Sequence, residues 1–319
     1  MSIEFPKIEN KSEQPLDFEQ WLELELPKQY EEKVKILNKL GILEILPEAK
    51  EFGIVGIDGK EYPMPEMEEI KDSLEKNKEI FAIKMEQGFT DLSIIPFGTE
   101  LSKLIKIMEK TILKHYQEGK LFTAKKNPAD ENETLEKLDL DKNKPLYKWD
   151  GYDNADTKSE LIYYPQEFSK NHQGKTKREI LAEDKKGFIV TMQEKNPNIP
   201  KANDKPEIIG GRERLRAGKT PNEYLTFLQN NEQYQNEQGQ TPEEWITKFL
   251  TYLEKHNQVI DDVEGNGTAS CQLGAYFHSL DRVPLCWWYR VDRQAGLDRI
   301  NPRRQETEKE GASLSVRVI

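Results

Sequence analysis

Cysteine and histidine are scarce in this chain, and their scarcity excludes several kinds of site. The 319 residues contain two cysteines, Cys271 and Cys286, and four histidines. Two cysteines cannot form a disulfide framework, and their spacing matches no zinc-binding pattern. One bridge between them is compatible with the sequence, but no feature of the pattern favours it. The histidines form no H-E-x-x-H or similar set, so we expect no metal site.

The motifs that mark nucleotide-binding loops and catalytic nucleophiles are also missing. The chain has no P-loop, no glycine-rich dinucleotide fingerprint and no G-x-S-x-G elbow. Gly210 and Gly211 indicate only a turn, and the oxygen-rich segment 261–267 lacks the ligand spacing of an EF-hand. We therefore predict no catalytic residue and no cofactor, and we do not expect an enzyme.

Long apolar runs are absent as well. No stretch approaches the ~18 consecutive apolar residues that indicate a membrane span. The first 20 residues contain neither the basic segment nor the apolar run of a secretory signal peptide. We expect a soluble protein that is synthesised in the cytoplasm and reaches a virion or cell surface only as part of a larger assembly.

Positive charge is in deficit over most of the chain. The net charge is −11. The last 49 residues carry eight basic and six acidic side chains, which is +2, so the preceding residues carry −13. An acidic body disfavours binding to nucleic acid, because attraction to phosphate needs a positive face. Arginines interleaved with aromatic residues in the tail nevertheless leave a nucleic-acid-binding module as an alternative.

Arginine is nearly missing from the first 270 residues and concentrated after them. Four of the eleven arginines precede residue 271, whereas seven lie in 271–319, where Lys309 is the one lysine. Both residues carry the same charge, so the change concerns the planar guanidinium rather than net electrostatics. Trp287 and Trp288 lie in the same segment. Arginine, tryptophan and tyrosine dominate binding hot spots, so the tail has the composition of a contact surface.

The N-terminal half of the chain has mainly helical periodicity. Helices are predicted from Asp17 to a stop at Gly41, again at 66–80, and from Thr99, whose hydroxyl is expected to cap the helix. Asp58 and Gly59 predict a small hairpin. The polar segment 126–145 indicates a linker or long surface loop.

We accordingly divide this α+β chain into a helix-rich region, 1–145, and a C-terminal domain, 146–319. The first region is either a docking module or a packed extension of the second.

In the C-terminal half, two Thr-Pro sequences with a following acidic residue predict helix starts at Thr220 and Thr241. Four short segments of the tail, rich in aromatic and β-branched residues, predict strands. Period-two geometry sends one set of side chains of the second segment to one face and the rest to the other. The first face carries Leu285, Trp287, Tyr289 and Val291, and the second carries Cys286, Trp288 and Arg290. Periodicity alone does not decide which face is buried.

The residues of the tail carry a resemblance to a known family. The run from Thr241 to Asp262, then GAYFHSLDRVP, WYR, QA, NPR and the terminal SVRV, resembles the variable proteins of diversity-generating retroelements, of the type found in archaeal viruses and small-genome prokaryotes. The resemblance covers 146–319 well and 1–145 loosely. It implies a C-type-lectin fold, related to formylglycine-generating enzymes, with 271–319 as a region varied by adenine-directed mutagenesis.

That history would also explain the composition of the tail. Lysine and asparagine codons are rich in adenine, and only Asn301 and Lys309 remain after residue 270. The alternative is that two domains of separate origin simply differ in their use of lysine and arginine.

The resemblance further implies roles for individual residues. The expected scaffold residues are Trp288, Arg290, Gln294, Ala295, Pro302, Arg317 and Val318, with Arg290 and Arg317 paired to buried acceptors. The expected ligand-facing residues are Leu285, Trp287, Tyr289, Val291, Asp292, Arg293, Gly296, Asp298, Ile300, Arg303 and Arg304, with His278 and Asp281 near the same surface. Trp287 departs from the pattern, because changing the adenines of an asparagine codon does not produce tryptophan.

The function implied is non-catalytic recognition of a macromolecular target, in the first place a protein, with the N-terminal region attaching the molecule to a virion or cell surface. An enzyme related to the formylglycine-generating group is an alternative, but Cys271 and Cys286 do not match its cysteine pair.

Overall fold

The computed structural model describes residues 16–127, 130, 132–304 and 308–319. Residues 1–15, on which most of the signal-peptide expectation rests, lie outside these ranges. The described residues contain eight α-helices, and five of them belong to the first 145 residues, as the periodicity predicts. They are α1 (Phe18–Leu24), α2 (Leu26–Lys39), α3 (Met67–Lys76), α4 (Lys78–Glu86), α5 (Leu101–Gln117), α6 (Lys177–Asp184), α7 (Pro221–Asn230) and α8 (Pro242–His256).

The strands are mostly short and lie in both halves of the chain, so the mixed α+β class is confirmed. The first half contains β1 (Glu44–Ile45), β2 (Phe52–Val55), β3 (Glu61–Pro63) and β4 (Phe89–Ile95). The second half contains β5 (Leu146–Lys148), β6 (Leu161–Tyr163), β7 (Lys175–Thr176), β8 (Ile189–Glu194), β9 (Ile208–Ile209), β10 (Arg212–Glu213), β11 (Gln238–Gly239), β12 (Ala269–Cys271), β13 (Ala275–Phe277), β14 (Val283–Tyr289), β15 (Gln294–Ile300), β16 (Glu310–Ala312) and β17 (Leu314–Arg317).

Two larger sheets organise these strands. A four-stranded antiparallel sheet has the order β11-β17-β8-β4, and a five-stranded sheet has the order β16-β12-β14-β15-β5. In the second sheet the outer pairs β16 with β12 and β15 with β5 are parallel, and the inner pairs are antiparallel. Smaller sheets are formed by β1-β2-β3, by β13-β6-β7 and by the pair β9 and β10. The turn between β2 and β3 contains Asp58 and Gly59, as predicted.

Several helix ends follow from local sequence. Thr220 and Thr241 each accept a hydrogen bond from the backbone N–H three residues later, and Glu223 and Glu244 accept one from the N–H of the capping threonine. These are reciprocal capping boxes, as the Thr-Pro pattern predicts. Gly41 follows α2 with a φ of 69°, a left-handed conformation that suits glycine.

The predicted cap of α5 is wrong. The helix begins after Glu100, and the hydroxyl of Thr99 has no hydrogen-bond partner among the described residues. The first backbone N–H, that of Leu101, instead donates to Asp156 at 2.9 Å. Asp156 is fully buried and also accepts from Lys177 at 2.7 Å. A carboxylate 55 residues away therefore satisfies the positive end of α5.

The hydrophobic core is continuous across residue 145. It includes apolar residues of the N-terminal helices, both large sheets and α8. The backbone pairing crosses the same point, since β4 pairs with β8 along six residue pairs. The division at residue 145 concerns independent folding and stays a prediction. Of the two alternatives for the first region, this packing favours an extension of the C-terminal part.

The predicted loop at 126–145 contains no residue of a helix or named strand among those described there. It is held to the body by side chains at its C-terminal end. Asp139, for example, accepts hydrogen bonds from Tyr116 at 3.0 Å and from Arg293 at 2.8 Å. This segment therefore borders the tail of the chain.

Candidate functional site

The predicted ligand-facing residues lie mainly on the hairpin formed by β14 and β15. The register of this hairpin pairs Leu285 with Asp298, Trp287 with Gly296 and Tyr289 with Gln294. On the other side of β15, Gly296 lies beside Tyr147 of β5. Directly paired residues point to the same face of a sheet, so Trp287, Gly296 and Tyr147 form one row on one face.

Aromatic rings dominate this row. The centroids of Tyr147 and Trp287 are 6.4 Å apart with an interplanar angle of 34°. Both residues are half-buried, and the ammonium of Lys144 lies 4.9 Å from the Tyr147 centroid. Half-buried rings combine rigidity with accessible apolar area, which is the property that makes aromatic residues effective anchors at interfaces.

The opposite face of β14 is buried. Cys286 and Trp288 are fully inaccessible, so the face with Leu285, Trp287 and Tyr289 is the one that partly reaches solvent. Cys271 and Cys286 are both buried and free, so no bridge forms between them. Burial raises the pKa of both thiols, which keeps them protonated and unreactive.

Arg290 fastens the hairpin to the body, as expected for a scaffold residue. Its guanidinium donates to both carboxylate oxygens of Asp262, at 2.7 and 2.9 Å, and to Glu136 at 2.8 Å. Asp262 is fully buried, and burial raises its pKa while the neighbouring guanidinium opposes the shift. The bidentate pair therefore compensates a charge that would otherwise be desolvated without a partner.

The tip of the hairpin is the most accessible part of the predicted site. Val291 is 68% exposed, and Asp292 and Arg293 are also exposed. Arg293 has a φ of 55° and pairs with Asp139 at 2.8 Å. The hydrogen bond from Arg293 lowers the pKa of Asp139 to about 2. We use the name hairpin surface for Tyr147, Trp287, Tyr289, Val291, Asp292 and Arg293.

A second group of predicted residues lies at the other end of the hairpin. Arg303 donates to Asp281 at 2.5 Å and to the carbonyl oxygen of Phe168 at 2.7 Å. Tyr276 also donates to Asp281, at 2.7 Å, whereas His278 and Arg304 are exposed. Strands of seven residues separate the two ends by roughly 20 Å. The predicted residues therefore do not form a single cluster.

Three predicted ligand-facing positions are wrong. Leu285 is 9% exposed and Ile300 is 4% exposed, and both belong to the continuous core. They lie on the same strand face as Trp287 and Asp298, but other elements pack over that part of the sheet. Gly296 is buried beneath the indole of Trp287, so it offers no side chain and no free surface.

Most scaffold predictions agree with the burial. Trp288, Gln294, Ala295, Pro302 and Val318 are all buried. The expectation for Arg317 is wrong, because its partner at 3.2 Å is Asp184, whose side chain is 43% exposed.

Two aromatic residues near the hairpin were missed by the sequence reasoning. Tyr147 belongs to the hairpin surface, and Trp149 lies beneath Arg299, whose guanidinium carbon is 3.9 Å from the ring centroid. Asp298 pairs with the same arginine at 3.4 Å. The sequence LYKW at 146–149 has the alternation of a strand with two aromatic residues, and that signal could have indicated an additional strand of the tail sheet.

The described residues contain no group of three or more His, Cys, Asp or Glu side chains arranged to hold a metal ion. In the same part of the chain, no helix combines the length and apolar character needed to cross a membrane.

Comparisons of this chain with models of protein families, with curated proteins and with solved structures found no match.

Proposed function

We propose that this protein is a non-catalytic recognition protein that binds a macromolecular target, in the first place a protein, through the hairpin surface. In this proposal residues 146–319 form a C-type-lectin scaffold of the formylglycine-generating-enzyme type. Residues 271–319 are a region varied by adenine-directed retroelement mutagenesis. The N-terminal region, 1–145, attaches the molecule to a virion or cell surface.

One observation carries this proposal. The hairpin has an inner face that is wholly buried and an outer face and tip whose side chains reach solvent. Trp288 and the pair of Arg290 with Asp262 hold the backbone, so Val291 and Asp292 can change without loss of core contacts. A backbone that is rigid on one side and accessible on the other suits a surface whose side chains are exchanged.

The charges of the hairpin surface favour a protein target over nucleic acid. Arg290, Arg293 and Arg303 each pair with a carboxylate within 2.8 Å. Their positive charge is therefore largely neutralised, whereas binding to a phosphate backbone depends on unneutralised cations. No contact among the described residues favours the enzyme alternative.

A sequence observation tests the origin of the tail. We expect a near-copy of the coding sequence for residues 271–319 close to a reverse-transcriptase gene, differing from the coding copy chiefly at adenines. A complete genome without such a copy would contradict the retroelement part of the proposal.

Paired display libraries test the recognition surface itself. One library randomises Trp287, Tyr289, Val291, Asp292 and Arg293, and the control library randomises the exposed α3 residues Glu68, Glu69, Asp72, Glu75 and Lys76. Both libraries are selected against the same panel of unrelated proteins. We expect folded, specific binders from the hairpin library at clearly higher frequency. Equal yields from the two libraries, or loss of folding in most hairpin variants, would refute the assignment of this surface.

A further inference from the structure

Four lysines are buried in the part of the chain that the structure describes, and one of them lacks a partner. Lys33, Lys84 and Lys177 each form an ion pair at 3.2 Å or less. Lys248 is 7% exposed and forms no hydrogen bond or ion pair with any described residue. Buried lysines are rare unless paired, because the desolvated amine loses its contacts with water. The partners of the other three are Asp91 for Lys33, Glu237 for Lys84, and Asp156 with Glu243 for Lys177.

The position of Lys248 follows from the sequence of α8. Glu244, Lys248 and Thr251 are spaced by four and three residues, so they form one polar stripe along the helix. All three are buried, and Ser315 of β17 donates to Glu244 at 2.8 Å. The polar stripe therefore faces the four-stranded sheet rather than solvent.

Lys248 also lines an open groove of about 1690 Å³. The walls of this groove come from α2, β4 and α8, with Gln29, Thr90 and Thr251 among the lining residues. Small-molecule sites in proteins commonly occupy 300 to about 1,000 Å³, so the groove has room for a small organic ligand next to the amine. It shares no residue with the hairpin surface.

The surroundings of Lys248 favour an uncharged amine next to a protonated acid. Burial lowers the pKa of Lys248, an effect that the carboxylates of Asp261, Glu194 and Asp91 oppose and Arg214 reinforces. Burial also raises the pKa of Asp261 to about 7. One oxygen of Asp261 accepts from Trp245 at 2.6 Å, and the other has no partner.

We propose that Lys248 is a covalent binding site for small aldehydes and ketones that enter through this groove. The neutral amine attacks the carbonyl carbon, a C–N bond forms, and the carbonyl oxygen takes up a proton to give a carbinolamine. Asp261 supplies the proton that converts the hydroxyl into a leaving water, and the nitrogen loses its remaining proton as the imine forms. The balance is one amine plus one carbonyl compound giving one imine plus one water.

The experiment uses the full chain, propanal as the probe and sodium cyanoborohydride to reduce any imine to a stable propyl amine at pH 7. Peptide mass spectrometry then measures the rate of propylation at each lysine. We expect Lys248 to react at least about tenfold faster than the exposed groove lysines Lys195 and Lys255. A rate at Lys248 equal to or below theirs overturns the proposal.

Two variants separate the roles of the residues. Lys248→Met should abolish the fast reaction, while the matched change Lys255→Met should leave it intact. Asp261→Asn should slow imine trapping at Lys248 but not acylation by acetic anhydride, because acylation needs only the neutral amine. Equal slowing of both reactions overturns the role of Asp261 as the acid. These outcomes are independent of the proposed recognition function, which rests on the hairpin surface.

Discussion

The indole of Trp287 lies across Gly296, the residue directly opposite it on β15. A Cβ atom at position 296 would overlap the indole ring. Gly296→Ala is therefore expected to displace Trp287 and to lower the free energy of unfolding by about 1–3 kcal/mol, as overpacking typically does. Denaturant unfolding with fluorescence detection measures this change.

A double-mutant cycle provides the control for that prediction. In a Trp287→Ala background the space above residue 296 is open, so the added methyl group should cost little. If Gly296→Ala destabilises both backgrounds equally, the contact with Trp287 is not the cause.

Arg290 and Arg293 are expected to differ sharply in their contribution to stability. Arg290→Met leaves the buried carboxylate of Asp262 without its partner, and we expect a loss of about 3 kcal/mol in the free energy of unfolding. Arg293→Ala breaks a pair in which both side chains are about half exposed, so stability should stay unchanged within error. Thermal and urea unfolding of the two variants test the difference. Similar losses in both would contradict the assignment of Arg290 to the scaffold and Arg293 to display.

Glu244 is expected to make the protein less stable as the pH rises. Burial raises its pKa to about 7, above the value of about 4.3 in an unfolded chain. Between these two values the folded state binds a proton that the unfolded state has released. The contribution of Glu244 to stability is therefore complete below about pH 4, falls between about pH 4 and 7, and is constant above that. Glu244→Gln should remove this part of the slope, worth on the order of 3 kcal/mol.

Glu223 offers a matched control, because it occupies the same position of the capping box in α7 but is exposed. The backbone hydrogen bond to Thr220 lowers its pKa, so its contribution is present at neutral pH and is lost as the pH falls through the acid range. Glu223→Gln should therefore change the profile in the opposite direction. Unfolding free energies measured from pH 4 to 8 distinguish the two, and identical profiles would refute the account of Glu244.

Proteolysis of the loop at 126–145 is expected to leave the molecule in one piece. Trypsin can reach Lys142 and Lys144, which are exposed. The fragments should still elute together on size exclusion, because β4 pairs with β8 and the core is continuous between them. Elution of a separate, folded C-terminal fragment under native conditions would show that the first region is a detachable module. Separation in denaturant is the control for complete cleavage.

Local features of this protein were predictable from sequence because they depend on residues close together in the chain. The caps at Thr220 and Thr241 each involve a partner three residues away. The hairpin at Asp58 and Gly59 depends on one turn, and the alternation along β14 follows from the pleat of a strand.

The tertiary structure decided everything that depends on distant partners. Asp156, rather than the adjacent Thr99, satisfies the start of α5, because the fold brings a buried carboxylate to it. The burial of Leu285 and Ile300 depends on which elements pack over the tail sheet, and strand periodicity contains no information about that covering. The unpaired amine of Lys248 was equally invisible in the sequence, where a lysine on an amphipathic helix indicates a solvated face. Hydrogen-bonding partners and burial are set by three-dimensional neighbours, and those neighbours are separated here by tens to hundreds of residues.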